Sequence, residues 1–207
     1  MSPPPPRLSR DKIVAAARAS VVENGRGALS LRPLAARLGV TAPALYAHFA
    51  NKEALLTAVA EDEFDRLLAQ IERVADDAPD PLERVKAQAH AYVTYALANP
   101  ALFEIIFEFR PPWSSVSTGE ELPLASKAFE ISSVAVVDAI AAGQLRETDP
   151  LMASLTIWAA VHGVASVLAA GPGLGDEYET ALVRSVIDNI VAGLAVTVHE
   201  PRTNGGH

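Results

Sequence analysis

An all-α protein of about nine helices is what this sequence predicts, with an N-terminal three-helix helix-turn-helix module followed by a C-terminal helical bundle domain. Three observations predict it. Apolar residues recur at three- and four-residue spacing in segment after segment from Ile13 to Leu194. The segments open on helix-start signals, Ser9, Ser30, Thr41, Asn51, Asp80, Asn99 and Asp149, with proline directly after three of them, at Pro81, Pro100 and Pro150. No run shows the alternation of a half-buried strand.

Taken in order, helix one runs from about Arg10 to Glu23, capped by Ser9, with Ile13, Ala17 and Val21 inward; Asn24-Gly25 ends it. The stretch Leu29 to Leu56, LSLRPLAARLGVTAPALYAHFANKEALL, follows. Ser30 caps a short helix whose Leu31, Leu34, Ala35 and Leu38 share one side. Gly39 ends it where the backbone requires positive φ. Thr41 caps a second short helix, with Pro43 tolerated in its first turn. Leu45 and Phe49 point back to the core, and Thr41, Ala42, Ala44, Tyr46 and His48 are left facing outward. A capped helix, a glycine turn and a second helix with small leading side chains describe a helix-turn-helix, whose second helix enters the major groove.

Beyond it, Asn51 caps a fourth helix to about Ala75, with Leu55, Leu56, Val59, Phe64, Leu67 and Leu68 inward. Asp80-Pro81-Leu82-Glu83 is a cap, an N1 proline and a capping-box glutamate, opening a helix to Ala98 with Ala89, Tyr92, Val93 and Ala96 inward. Asn99-Pro100 opens the next, stopped by Pro111-Pro112; Trp113 to Pro123 is loop. Leu124 to Ala142 places Phe129, Val136, Val137 and Ile140 inward. Asp149-Pro150 starts a helix to Ala170 that carries no charge. Its length suits a membrane span, but acidic flanks without basic anchors make it a soluble helix buried on most sides. The last helix begins at Glu177 and aligns Leu182, Val183, Val186, Ile187, Ile190, Val191 and Leu194.

The 207-residue chain is acidic, with net charge −8, which by itself argues against nucleic acid. The charge is unevenly distributed. Residues 1–52 hold eight Lys/Arg against Asp11 and Glu23, net +6; the remainder holds nine against 23 carboxylates, net −14. The basic end coincides with the helix-turn-helix, the footprint of a nucleic-acid module on an acidic body. The absence of cysteine excludes disulfides and thiolate chemistry. MSPPPPRLSR has no apolar core of a signal peptide.

The string LAARLGVTAPALYAHFANKEALL resembles the DNA-binding signature of the tetracycline-repressor (TetR) family through LGV, Pro43, Leu45-Tyr46, His48-Phe49 and Asn51-Lys52-Glu53. Ala47 departs from it, standing where the family usually has a large aromatic residue, as does Ala50 where it often has Lys. The resemblance implies a homodimer that reads double-stranded DNA. Ser30 and Arg32 lie at the start of the first motif helix, with Arg32 a candidate base reader or phosphate contact. The resemblance further implies that Thr41, Ala42, Pro43 and Ala44 face bases by mainly apolar contact and that Tyr46, His48 and Lys52 contact phosphates, with packing between helices the alternative for Tyr46 and His48. The string Trp158-Ala-Ala-Val-His162-Gly163 resembles a Trp-x-x-x-His-Gly signature of one TetR subgroup, which implies an effector cavity lined by both residues; a hydrogen-bonded core histidine beside a packed tryptophan is the alternative.

An apolar effector site is expected on Tyr92, Phe103, Phe107, Trp113, Trp158 and His162, with ordinary core the alternative for the aromatic cluster from Phe103 to Trp113. Glu104 and Glu108 lie one turn apart, but no histidine has ligand spacing near them; no metal, cofactor or catalytic group is expected, and the chain is not read as an enzyme. The stripe Leu182, Val186, Ile190, Leu194 is the expected dimer interface. The expected organisation is a disordered arm at 1–8, the DNA-binding domain at 9–52, a connecting helix at 52–75, a helical effector-binding and dimerisation domain at 76–200, and a disordered tail at 201–207. The expected function is a cytoplasmic transcriptional repressor, released from a pseudo-palindromic operator by a small, mainly apolar effector, with no membrane partner. Two rivals stand beside it: a DNA-binding regulator without an effector, and a helical enzyme or carrier that has lost DNA binding.

Overall fold

The computed structural model describes residues 8–109, 123–171 and 173–196, and side chains in all of these but 123–129. The expected arm, the tail, the Pro111-Pro112 stop and Trp113, and the side chain of Phe129, lie outside the described residues. Among those described, nine helices account for the architecture: α1 (Arg10–Ala28), α2 (Leu31–Arg37), α3 (Ala42–Tyr46), α4 (Lys52–Asp76), α5 (Pro81–Ala98), α6 (Pro100–Phe109), α7 (Pro123–Ala141), α8 (Pro150–Ala169) and α9 (Asp176–Leu194). The extended pairing among them is a lone antiparallel bridge, Leu145 with Ala195. The fold is all-α, as the periodicity predicts.

The described residues fall into two compact units, one within the spans Met1–Gln70, Thr94–Ala128 and Ala169–Gly171, the other within Ile71–Val93, Phe129–Leu168 and Pro172–His207. In the first, Ile13, Ala17 and Val21 of α1 share a core with Leu31, Leu34, Leu45, Phe49, Leu55, Leu56 and Val59, joined by Leu102 and Ile105 of α6. Ser9 caps α1 by accepting from the Lys12 amide at 3.3 Å. Gly25, at φ 74°, breaks the helical run where Asn24-Gly25 predicts its end, and a short helical piece continues to Ala28. Gly39 takes φ 68° after α2, a conformation that costs a residue with a Cβ. Asn51 caps α4, its Oδ1 accepting from Ala54 N at 2.8 Å.

In the second unit the caps are stronger than sequence spacing shows. Asp80 Oδ1 accepts from Leu82 N (2.9 Å) and Glu83 N (3.0 Å). Glu83 pairs with Lys86 at 2.7 Å, and Gln144, distant in sequence, joins the cap. Its Nε2 donates to Asp80 Oδ1 at 3.1 Å and its Oε1 accepts from Leu82 N at 3.1 Å. Asp149 caps α8 through Leu151 N at 2.9 Å.

Three packing expectations are corrected. Val137 is 46% exposed and Ile140 only half-buried; Ala135, Val136 and Ala139 are the inward face of α7, a shift of one position round the helix. α8 is not buried on most sides, since only 39% of its apolar window is covered. By length and composition alone it is long and apolar enough to cross a membrane. It buries Ala153, Ile157, Val161, Val164, Ala165 and Leu168, and exposes Leu151, Met152, Leu155 and Val167 along the opposite side. Its lack of charge therefore reflects a second apolar face as well as an inward one.

Candidate nucleic-acid interface

The helix-turn-helix positions its outward residues through what its inward residues bury. Leu34, Leu45 and Phe49 are almost fully covered, which orients α2 and α3 and leaves Ser30, Arg32, Thr41, Pro43, Tyr46 and His48 exposed. Ala42 and Ala44 are half-buried. Tyr46 is 49% exposed, a large aromatic without a core role. Two details differ from expectation. Ser30 and Thr41 occupy cap positions with extended backbone, but neither side chain makes a cap bond, so both hydroxyls remain outward-facing donors. α3 spans only five residues, and His48 follows it in the turn held by His48 N donating to Leu45 O at 2.9 Å.

The basic surplus is smaller in the folded chain than in the sequence. Arg37 donates through both terminal nitrogens to Glu23, at 2.6 and 2.8 Å, joining α2 to α1. That bond holds the Glu23 carboxyl below its ordinary value, despite partial desolvation. Arg26 pairs with Glu108 of α6, and Arg18 with Glu63 of α4; both carboxylates come from outside residues 1–52. Arg10 lies 4.5 Å over the Phe49 ring. Lys52 donates to the Gly27 carbonyl at 3.1 Å, which anchors the piece of chain after Gly25 and leaves the ammonium's charge unneutralised. Arg32 is exposed and forms no ion pair among the described residues. Arg18, Arg26 and Arg37 are thus held by carboxylates, while Arg32 and Lys52 show no ion pair among the described residues.

In the second unit the structure brings together three of the residues expected to contact an effector. Tyr92 of α5 and His162 of α8 share a 2.8 Å hydrogen bond at Nδ1. The Trp158 ring stacks on the imidazole, 5.1 Å between centroids and 16° between planes. The second imidazole nitrogen is 3.3 Å from Ser166 Oγ. Burial pushes the Tyr92 phenol well above its ordinary value, with a smaller opposing effect from a Trp158 hydrogen bond, and it pulls His162 below its own. Tyr92, His162 and Trp158 thus form one polar and aromatic cluster between α5 and α8. Phe103 and Phe107 belong to the other unit, in edge contact at 4.9 Å.

Sequence reasoning missed Glu63. It is fully buried beside the apolar positions of α4, where periodicity calls for an aliphatic residue. A carboxylate interrupting that series, between Val59 and Leu67, was the available signal.

A short motif helix held by a packed scaffold, with hydroxyl, aromatic and cationic groups outward, has the form of a helix-turn-helix DNA-binding module. Comparison with known proteins agrees. Residues 13–59 match the family model for bacterial regulatory proteins of the tetR family, and residues 85–190 that for the tetracyclin repressor-like C-terminal domain. The chain belongs to the TetR family of transcriptional regulators. It is 28% identical over 203 residues to the uncharacterized HTH-type transcriptional regulator Rv0681 of Mycobacterium tuberculosis, spanning 98% of this chain and 87% of that one. A solved Rhodococcus sp. RHA1 protein of unknown function is 30% identical and superposes with a TM-score of 0.80, covering 94% of this chain and all of the other. A structure concerned with control of antibiotic production by bacterial hormones is 26% identical, with a TM-score of 0.69, over 90% of this chain and 97% of the other.

Proposed function

We propose that this regulator is a cytoplasmic repressor that binds a pseudo-palindromic operator as a homodimer and leaves it on binding a small, mainly apolar effector. The observation that carries the DNA part is the outward face of α2 and α3. Arg32 and Thr41 would read bases beside the apolar Ala42, Pro43 and Ala44, with Ser30, Tyr46, His48 and Lys52 on the backbone. Functionally we divide the chain at 9–52 for DNA, 52–75 for connection and 76–200 for effector and dimer.

The dimer reading is supported by the exposed apolar side of α8. Leu151, Leu155 and Val167 flank Gly163, where an added Cβ would meet nothing within 4 Å. A single chain gains nothing by exposing such a face, and a two-fold mate would cover it. On α9, Leu182, Val186 and Ile190 are half-buried and can contribute. Leu194 is only 6% exposed and its carbonyl accepts from Arg146 N, so its place is inside its own protomer.

For the effector, the family resemblance of Trp158-x-x-x-His162-Gly163 and the likeness to a regulator associated with bacterial hormones support a small ligand. We assign its contacts to Tyr92, Trp158 and His162, with Ser166 Oγ the group it would displace, because that bond is the longest in the cluster. One observation favours the second reading, a regulator without an effector: both imidazole nitrogens already have partners inside the chain. Release of a bound duplex by a screened apolar compound, with quenching of Trp158, supports the first reading. A panel that changes neither signal supports the second.

A further inference from the structure

Glu63 is a carboxylate with no exposed surface, in the middle of α4. Three helices meet at it. Its Oε1 accepts from Nε of Arg18 on α1, and its Oε2 from the Tyr95 hydroxyl on α5. The same hydroxyl lies 3.1 Å from the Glu63 carbonyl. Arg66, one turn along α4, stands 3.6 Å from Oε1 while making its shorter bond, 2.9 Å, to Asp62. All of these residues belong to one compact unit.

An aliphatic residue at this position would avoid the cost of desolvating a charge, so stability alone is a poor reason for the cluster. Apolar packing is non-directional, and α1 can slide along α4 by a fraction of an ångström with little change in buried area. A buried carboxylate with two fixed donors has a single satisfied geometry. The register matters for what α1 carries. Ile13, Ala17 and Val21 form the floor under Leu34, Leu45 and Phe49, and Glu23 of α1 holds Arg37 of α2. α4 begins immediately after the recognition segment, capped by Asn51. The position of α1 on α4 therefore sets the pose of both motif helices.

We propose that Glu63 is a positioning residue for operator recognition, fixing α1 against α4 and α5 through Arg18 and Tyr95 so that α2 and α3 meet DNA in one orientation. This inference rests on the DNA-binding reading. Its signature is a loss of discrimination between sequences with retained phosphate contact, since none of the node's bonds given above goes to a residue assigned to DNA.

The test uses a duplex selected by the wild-type protein from a random pool, and a scrambled duplex of the same length. Arg18→Met alone removes the nearest cation from a buried carboxylate and lowers the melting temperature. Arg18→Met combined with Glu63→Gln removes both charges and is expected to recover melting to within about 5 °C of wild type. The double variant should still bind the selected duplex about tenfold more weakly, with scrambled-duplex affinity and salt slope unchanged. Tyr95→Phe, which deletes one hydroxyl, should reduce the selected-to-scrambled ratio about threefold, and decides the matter if the double variant does not fold. A folded double variant, or failing that Tyr95→Phe, with the wild-type ratio overturns the proposal. If the wild-type protein selects no duplex, the DNA-binding reading itself fails.

Discussion

Tyr92 and His162, seventy residues apart in sequence, share a 2.8 Å hydrogen bond under the stacked Trp158 ring. The consequence is that His162 is structural whether or not it also meets an effector. His162→Phe keeps the ring volume but leaves the buried Tyr92 hydroxyl without its imidazole partner. The expected loss is about 1–3 kcal/mol of unfolding free energy at neutral pH, read by urea denaturation. A change within error would remove the bond from the stability account. If effector-driven release from DNA also fails in this variant while operator affinity holds, His162 serves both roles.

The same histidine gives a pH dependence of definite sign. Its folded pKa lies below the unfolded value of 6.5 because burial disfavours the imidazolium. The neutral form's stability is fully present above pH 6.5 and is lost as the pH falls through the folded pKa, since the unfolded chain binds the proton first. Thermal melts from pH 7.5 to 5 should show a downward slope that His162→Phe flattens. Parallel slopes for the two proteins would contradict the assignment.

Asp80 behaves as a carboxylate held below its ordinary pKa, chiefly by the Glu83 amide and further by Gln144 and Leu82 N. Its stabilisation is present above the unfolded pKa of 3.8 and lost as pH falls through the folded one. Asp80→Ala and Gln144→Ala should each lower the melting temperature at pH 7, with less than additive loss when combined. Strict additivity would show that Gln144 is no part of the cap.

The salt dependence of DNA binding should sort the arginines. Lys52→Ala and Arg32→Ala are each expected to reduce the slope of log K against log salt by about 0.9 if they neutralise a phosphate. If Arg32 reads a base instead, its loss relaxes preference at particular positions. Arg37→Ala should leave the slope nearly unchanged, because Glu23 already holds that guanidinium. A full unit lost with Arg37 would mean that it leaves Glu23 to meet DNA.

The dimer reading makes α8 the sensitive helix. Leu155→Arg places a charge on a side chain that is 39% exposed in the protomer, so folding should survive while association fails. Sedimentation should give a monomer with a near wild-type melting temperature. Ile190→Glu is expected to dissociate the dimer too, but it is half-buried in its own protomer and should also lower stability. An intact dimer of Leu155→Arg would remove α8 from the interface.

Helix positions were legible because caps and glycines are local. Ser9, Asn51, Asp80 and Asp149 cap as their spacing indicates, and Gly25 and Gly39 take the positive φ that their places require. The motif's outward face was legible because Leu34, Leu45 and Phe49 fix it by burial. What was not legible depends on partners distant in sequence. Gln144 reaching Asp80, Glu108 reaching Arg26 and Glu63 taking Arg18 arise only when helices meet. For the same reason, summing charge over residues 1–52 overstated the cations left for DNA. The exposed face of α8 was misread because an uncharged helix looks the same in sequence whether its second face is covered by its own chain or left bare.

The most direct test of the central claim is selection from a random duplex pool, followed by titration of the enriched sequence with protein of known oligomeric state. A helix-turn-helix dimer predicts a two-fold symmetric consensus, half-sites about one helical turn or a multiple of it apart, and two protomers per site or a multiple of two. Affinity should fall steeply with salt. Failure to enrich any sequence, or an asymmetric site saturated by one protomer, would contradict the account.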